Sequence, residues 1–185
     1  AARSTCGDRT GLVLILGTGM NAGYHDGAAL HCRMPSLGYV LGDEGSGADL
    51  GKMLLRAFYS GEMPEEVAKV IFPHPAPLAE ALERIHKGPS PQAWLAGPAA
   101  AAATLLEHEW VRDLVEERFE RLAELLERFF VYGERRDVHA VGSVAHGFQD
   151  ALGPVLAGHG MRLSEVVADP LPGLVAYHGR VDVVS

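Results

Sequence analysis

Leu12-Val13-Leu14-Ile15-Leu16 is an unbroken aliphatic run, the pattern of a strand covered on both faces. Gly17-Thr18-Gly19 ends it with residues that allow unusual dihedrals. Asn21 to His25 predicts a second short strand, Asp26-Gly27 a hairpin-type turn, and Ala28 to Met34 a third strand. Pro35 and Gly38 bracket an irregular link to a last apolar triplet, Tyr39-Val40-Leu41. The chain up to about Asp43 therefore reads as a meander of short strands.

From Glu44 to about Arg136 the period changes to that of helices. Leu50, Met53, Leu54, Ala57 and Phe58 recur at steps of three and four and give one apolar face. Met63-Pro64-Glu65-Glu66 is a helix start, with proline in the first turn and acids behind it. Breaks follow at Pro73, Pro75 and Pro77, and again at Gly88-Pro89-Ser90-Pro91. The longest helix spans roughly Glu107 to Tyr132. Val111, Val115, Leu122, Leu126 and Phe129 line one side; Glu117/Arg121 and Glu124/Arg128 are spaced as i,i+4 pairs on a solvated face. The last stretch restores alternation. Val138-His139-Ala140-Val141 is a short buried strand running into Gly142-Ser143, a helix continues through Leu156, Arg162 to Val167 is a last strand and Pro170 to Tyr177 a last helix. Meander, helices, then β-loop-α is a mixed α/β layer architecture.

Composition narrows the function classes. The 185 residues hold 48% hydrophobic and 22% charged side chains, enough for a real core. Sixteen basic against 24 acidic residues leave a net charge of −8, which argues against a nonspecific nucleic-acid binder. The run Leu12 to Leu16 is too short to span a bilayer, and no secretory signal pattern opens the chain, so a soluble cytoplasmic protein is expected. Cys6 and Cys32 are the only cysteines, without metal-ligand spacing, so neither a disulfide framework nor a structural zinc organises the fold. No HxxxH or HExxH pair and no GxSxG elbow occurs.

Three places carry candidate chemistry. In Gly17-Thr18-Gly19-Met20-Asn21, glycine lets backbone N–H groups approach an anion and Thr18 adds a hydroxyl; a tight turn that needs glycine for geometry alone is the other reading. The spacing GxGxxxG fails the dinucleotide fingerprint, and Gly51-Lys52-Met53 fails the Walker pattern. In Gly42-Asp43-Glu44-Gly45-Ser46-Gly47, Asp43 or Ser46 could cap the following helix. Alternatively, a carboxylate on a glycine loop could grip vicinal hydroxyls of a polyol. At Val141-Gly142-Ser143-Val144-Ala145, a strand passes through glycine into a helix; this is a common junction of any α/β protein, or a surface for a purine or phosphate.

Together the order strand-GTGxN, PSLGxxLGDEGSGxxLG, strand-VGSxAxxF and PxxGLxAYH resembles the C-terminal half of the BadF/BadG/BcrA/BcrD-type ATPase group, and within it the N-acetylglucosamine kinase-like members. The resemblance runs from Ala1 to about Gly179, and the 17-residue block Pro35 to Gly51 is its most specific part. It implies a ribonuclease-H-like lobe of the actin-like ATPase fold, with a mostly helical insertion at about 62–136 that in relatives shapes the cleft and the dimer contact. It implies phosphorylation of an amino sugar by ATP with Mg²⁺. Gly17, Thr18 and Gly19 match the second phosphate loop, Asn21 and Asp43 the sugar-hydroxyl contacts, and Gly142 and Ser143 the adenosine motif.

Two departures accompany the match. Met20 stands where relatives usually carry serine, and no DxGxT-type first phosphate loop is present. The chain is thus expected to be one lobe, without the aspartate that takes the sugar hydroxyl proton and nearly inactive alone. Other activities fit the same sequence group: an ATPase activator of a 2-hydroxyacyl-CoA dehydratase type of system, or a sugar sensor that has lost turnover.

Overall fold

In the computed structural model, which describes residues 9–130, 137–171 and 175, the aliphatic run becomes the central strand β1 (Gly11–Leu16). It pairs antiparallel with β2 (Met20–His25), from Gly11 opposite His25 to Leu16 opposite Met20. A two-residue strand, β3 (Leu30–His31), continues the meander. On its other side β1 runs parallel to β4 (Asp137–Val141), and β4 runs parallel to β5 (Arg162–Val167). The sheet order is β3-β2-β1-β4-β5.

Seven helices of the described chain lie between β3 and β4: α1 (Gly38–Leu41), α2 (Gly47–Ser60), α3 (Glu65–Ile71), α4 (Leu78–Lys87), α5 (Pro91–Ala96), α6 (Ala99–Ala103) and α7 (Glu109–Phe129). Two more, α8 (Ser143–Gly147) and α9 (Gln149–Gly158), cross from β4 to β5. On α7 the stripe Val111, Val115, Phe119, Leu122 and Leu126 is fully buried. It packs toward α9, and Phe119 meets Phe148 edge-on with ring centroids 6.1 Å apart. Each of these large side chains contributes about 1.5–3 kcal/mol by leaving water, so α7 is welded to the sheet side by its apolar spacing. A smaller cluster of Ala48, Leu55 and Leu95 joins α2 to α5, with Tyr59 and Trp94 packed around it.

Several expected elements come out differently. The third strand shrinks from 28–34 to Leu30–His31 because Asp26 captures the chain beside it. Its Oδ1 accepts the amides of Ala28 and Ala29 at 2.8 Å each, leaving those groups to a turn and not to a ladder. Tyr39-Val40-Leu41 is not a strand but the single turn α1, closed by Gly42 N–H on Gly38 O at 2.9 Å. Three apolar residues in a row carry no period that separates strand from helix. The helix expected through Leu156 breaks at Phe148, whose φ of −118° ends α8 before α9 begins. Arg121 pairs with Glu124 at 3.1 Å instead of with Glu117. Strand β1 is covered on both faces except at Ile15, which is 45% exposed. The helix expected over 170–177 lies largely outside the described residues, as does Cys6.

Candidate functional site

Because β1 and β4 are parallel neighbours, Leu16 and Val141 end at the same edge of the sheet. The loops leaving them, Gly17–Gly19 and Gly142-Ser143, therefore emerge side by side. Ligands of open α/β sheets collect outside such carboxyl ends. The two loops touch: a Cβ on Gly142 would stand 2.3 Å from Leu16 O, and its φ of 130° already excludes ordinary side chains.

The third candidate stretch docks onto the first. Gly17 N–H closes the turn on Gly19 O at 3.0 Å. Gly17 O and Thr18 O accept the Gly47 and Ala48 amides at 2.8 and 3.0 Å. The first amides of α2 are thus taken by the loop itself, and Thr18 is exposed.

Between these contacts lies Asp43. The capping question is settled by Ser46, the N-cap of α2, whose side chain accepts Asp49 N–H at 3.3 Å. Asp43 is left for something else. It is buried, and with φ of 62° it is the only non-glycine among the described residues at positive φ. A conformation of this kind costs roughly 1–3 kcal/mol and persists where the surroundings over-determine it, often at a functional site. Gln92 at the start of α5 donates its Nε2 to Asp43 Oδ2 at 3.0 Å. Both atoms face Gly19, where a Cβ would lie 2.7 Å from the amide and 2.8 Å from the carboxylate.

Two hollows open from this junction. One, of about 430 Å³, has Thr18 and Gly47 on one wall and Ser143 and Gly147 on another, with the alanines of α6 opposite. It is of the size that holds small-molecule ligands. The second, about 140 Å³, is lined by Asp43 and Glu44 together with Met20, Leu125, Arg128 and Phe129. A larger apolar groove of about 640 Å³ beside α2 and α4 contains none of the phosphate, sugar or adenosine candidates.

The structure thus brings Gly17, Thr18, Gly19, Asp43, Gly142 and Ser143 into one neighbourhood. Asn21 is placed differently. It is exposed on β2, cross-strand to Ile15, while Met20 and Ala22 point into the core. Its Oδ1 accepts Ala22 N–H at 2.8 Å, and it does not line the Asp43 cavity. Two residues went unread in the sequence, Gln92 and Arg118. Arg118 leaves the solvated face of α7 and reaches the buried Asp49, its Nε lying 2.8 Å from Asp49 Oδ2. Nothing local marks either one, since their partners lie 49 and 69 residues away. Among the described residues no three His, Cys, Asp or Glu side chains are grouped to hold a metal ion.

Chemically, the junction sets a hydroxyl donor and a glycine turn beside a fixed carboxylate with one oxygen uncommitted. That is an arrangement able to meet a phosphate and a hydroxylated ligand side by side.

Among solved structures, a candidate N-acetylglucosamine kinase from Porphyromonas gingivalis superposes with a TM-score of 0.87 at 34% identity, over 97% of this chain. The fold is that of an actin-like ATPase lobe. A candidate N-acetylglucosamine kinase from Chromobacterium violaceum shares the fold with a TM-score of 0.55 at 18% identity, over 95% of this chain. The chain spans 64% and 61% of the lengths of these two proteins. No family model matches the sequence, and none of the curated proteins is significantly similar to it. No helix among the described residues is long and apolar enough to cross a membrane.

Proposed function

We propose that this chain is the lobe of an ATP-dependent amino-sugar kinase that carries the second phosphate loop, a sugar-hydroxyl carboxylate and the adenosine surface. The observation that carries this reading is the junction at Gly19, where the glycine turn after β1 lies against the Asp43 carboxylate. Thr18 and Ser143 then bound one hollow that runs away from that point. A nucleotide lying in the hollow has its base on the Gly142-Ser143 loop and its terminal phosphates toward Thr18. A sugar hydroxyl held by the free oxygen of Asp43 stands beside the phosphoryl group to be transferred. When bound with the nucleotide, Mg²⁺ would supply charge neutralisation on its phosphates, as in other phosphoryl transfers.

In such reactions the protein acts mainly by positioning and electrostatic stabilisation. Asp43 is suited to the first task because its backbone and one oxygen are already fixed. It is not assigned the role of base; in this proposal the base belongs to a facing lobe. The Asp43 cavity, at about 140 Å³, encloses only part of a hexosamine, as half of a cleft closed by another lobe would. The candidate kinase from Porphyromonas gingivalis supports the amino sugar as substrate class. Asn21, two residues beyond Gly19 on β2, faces away from this cavity and is left out of the proposed sugar contact.

The test is ADP release by the full-length protein with ATP, Mg²⁺ and N-acetylglucosamine, against glucose and no sugar. Sugar-dependent release at about 1 s⁻¹ or more, an ordinary kinase rate, is expected. Sugar binding by calorimetry without any ATP consumption would replace the kinase by a sugar sensor.

A further inference from the structure

We propose that Arg118 is a positioning residue for Asp43, acting through the Asp49 carboxylate and the Gly45 amide. This rests on the reading of Asp43 as a substrate contact.

Asp49 is 3% exposed and occupies the third position of α2. Its Oδ2 accepts Gly45 N–H at 3.0 Å and Arg118 Nε at 2.8 Å. Its Oδ1 lies 3.4 Å from Arg118 Nη2 and 3.7 Å from Lys52 Nζ. An acid in a capping box needs only the bond back to the preceding loop. Here the same carboxylate is also gripped by a two-pronged guanidinium from α7, and such a grip fixes the carboxylate plane as a single point charge would not.

The loop held in this way is the one that carries Asp43. Gly45 is two residues beyond it, and its backbone rests on α7: a Cβ there would lie 3.1 Å from Phe119 and 3.3 Å from Leu122. Asp43 O accepts Ser46 N–H at 3.0 Å. The left-handed turn at Asp43 is therefore closed between its own helix and α7. One turn further along α7, Leu125, Arg128 and Phe129 wall the Asp43 cavity. A single helix thus forms the wall of the cavity and, through Arg118, sets where the carboxylate stands within it. The nucleotide hollow has no α7 residue among its lining, so loss of the grip separates the two substrates.

The experiment uses Arg118→Ala and Arg118→Lys in the full-length protein, with steady-state kinetics and amide hydrogen exchange. Arg118→Ala is expected to raise KM for the sugar roughly tenfold to a hundredfold, the scale of an ångström-sized misplacement. KM for ATP should change less than about twofold. Guanidinium chloride at non-denaturing concentration should recover part of the sugar KM. Arg118→Lys keeps charge beside Asp49 without the second prong, so it should show a smaller rise and faster exchange of amides 43–47, with β1 unchanged. It also serves if the alanine variant fails to fold. Equal shifts in both KM values, or loop exchange no faster than wild type in Arg118→Lys, would overturn the proposal. A wild-type protein that does not phosphorylate the sugar removes the underlying reading and takes this proposal with it.

Discussion

Gln92 Nε2 and Asp43 Oδ2 meet at 3.0 Å across 49 residues of sequence, so the carboxylate is held from the helical region by one oxygen only. The other oxygen is the feature on which sugar recognition depends in the proposed reaction. Asp43→Ala is expected to weaken sugar binding by about 1.5–3 kcal/mol, the range for a hydrogen bond to a charged group. Asp43→Gly should lose the same affinity yet melt no lower than the alanine variant, because glycine relieves the positive φ. Calorimetric titration and thermal melts of both variants check this. Unchanged sugar affinity in both would leave Asp43 a purely structural residue.

Gly19 and Gly17 provide a matched pair in one loop. A Cβ at Gly19 meets Gln92 and Asp43 at 2.7 and 2.8 Å, whereas one at Gly17 meets nothing within 4 Å. The atoms struck at Gly19 are ends of side chains that can swing away. Gly19→Ala should therefore fold, with Asp43 displaced, and lose roughly tenfold or more in kcat/KM for the sugar. Gly17→Ala should leave sugar KM unaltered. Equal effects of the two substitutions on sugar KM would mean that the contact at Gly19 has no bearing on the substrate.

How far all this could be read from the chain depends on the range of the interaction concerned. The central strand and the long helix were legible because apolar spacing is local and burial follows it. The neighbourhood of Gly17–Gly19, Asp43 and Gly142 was visible only through resemblance, since spacing alone left a turn and a cap as open readings. Ser46 settles the cap by geometry that a sequence of candidate acceptors does not contain. The outward direction of Asn21 did have a signal: in a strand with Met20 and Ala22 inward, position 21 must face away. Gln92 and Arg118 had none, because a polar residue on a helix looks the same whether its partner is water or a loop far along the chain.

His159, which follows α9, ties that helix to α7. Its Nε2 lies 2.7 Å from Glu120 Oε2 and its Nδ1 3.1 Å from Glu127 Oε2. The hydrogen bonds to Glu120 and then Glu127 raise its pKa above the ordinary 6.5. A raised histidine stabilises the fold fully below the unfolded value and ceases to do so as pH rises through the folded one. His159→Gln should therefore cost stability at pH 5.5–6, by about 0.2–1 kcal/mol since the carboxylates are half exposed, and little at pH 9. Urea melts at both pH values read the difference. A loss of equal size at pH 9 would show that charge is not the cause.

His139 on β4 works in the opposite sense. It is 3% exposed, and its Nδ1, without a hydrogen-bond partner, stands 3.7 Å from Glu165 Oε2. Burial, followed by the charge of Arg9, lowers its pKa below 6.5, and the nearby carboxylates of Glu165 and Asp137 offset this only in part. Below pH 6.5 the unfolded chain takes up a proton that the folded one refuses, so stability falls toward acid until the folded pKa is reached. The slope for one such proton is at most about 1.4 kcal/mol per pH unit. His139→Leu removes the proton and fills the same interior, so its stability between pH 6.5 and 5 should fall less steeply than wild type. His159 gives up its contribution only as pH rises above 6.5, so it is in place over this interval and leaves the acid slope to His139. Removing His159 alone should lower stability without altering the slope between pH 6.5 and 5, and removing both should keep the flatter slope of His139→Leu. Parallel acid limbs in wild type and His139→Leu would place the acid sensitivity elsewhere in the chain.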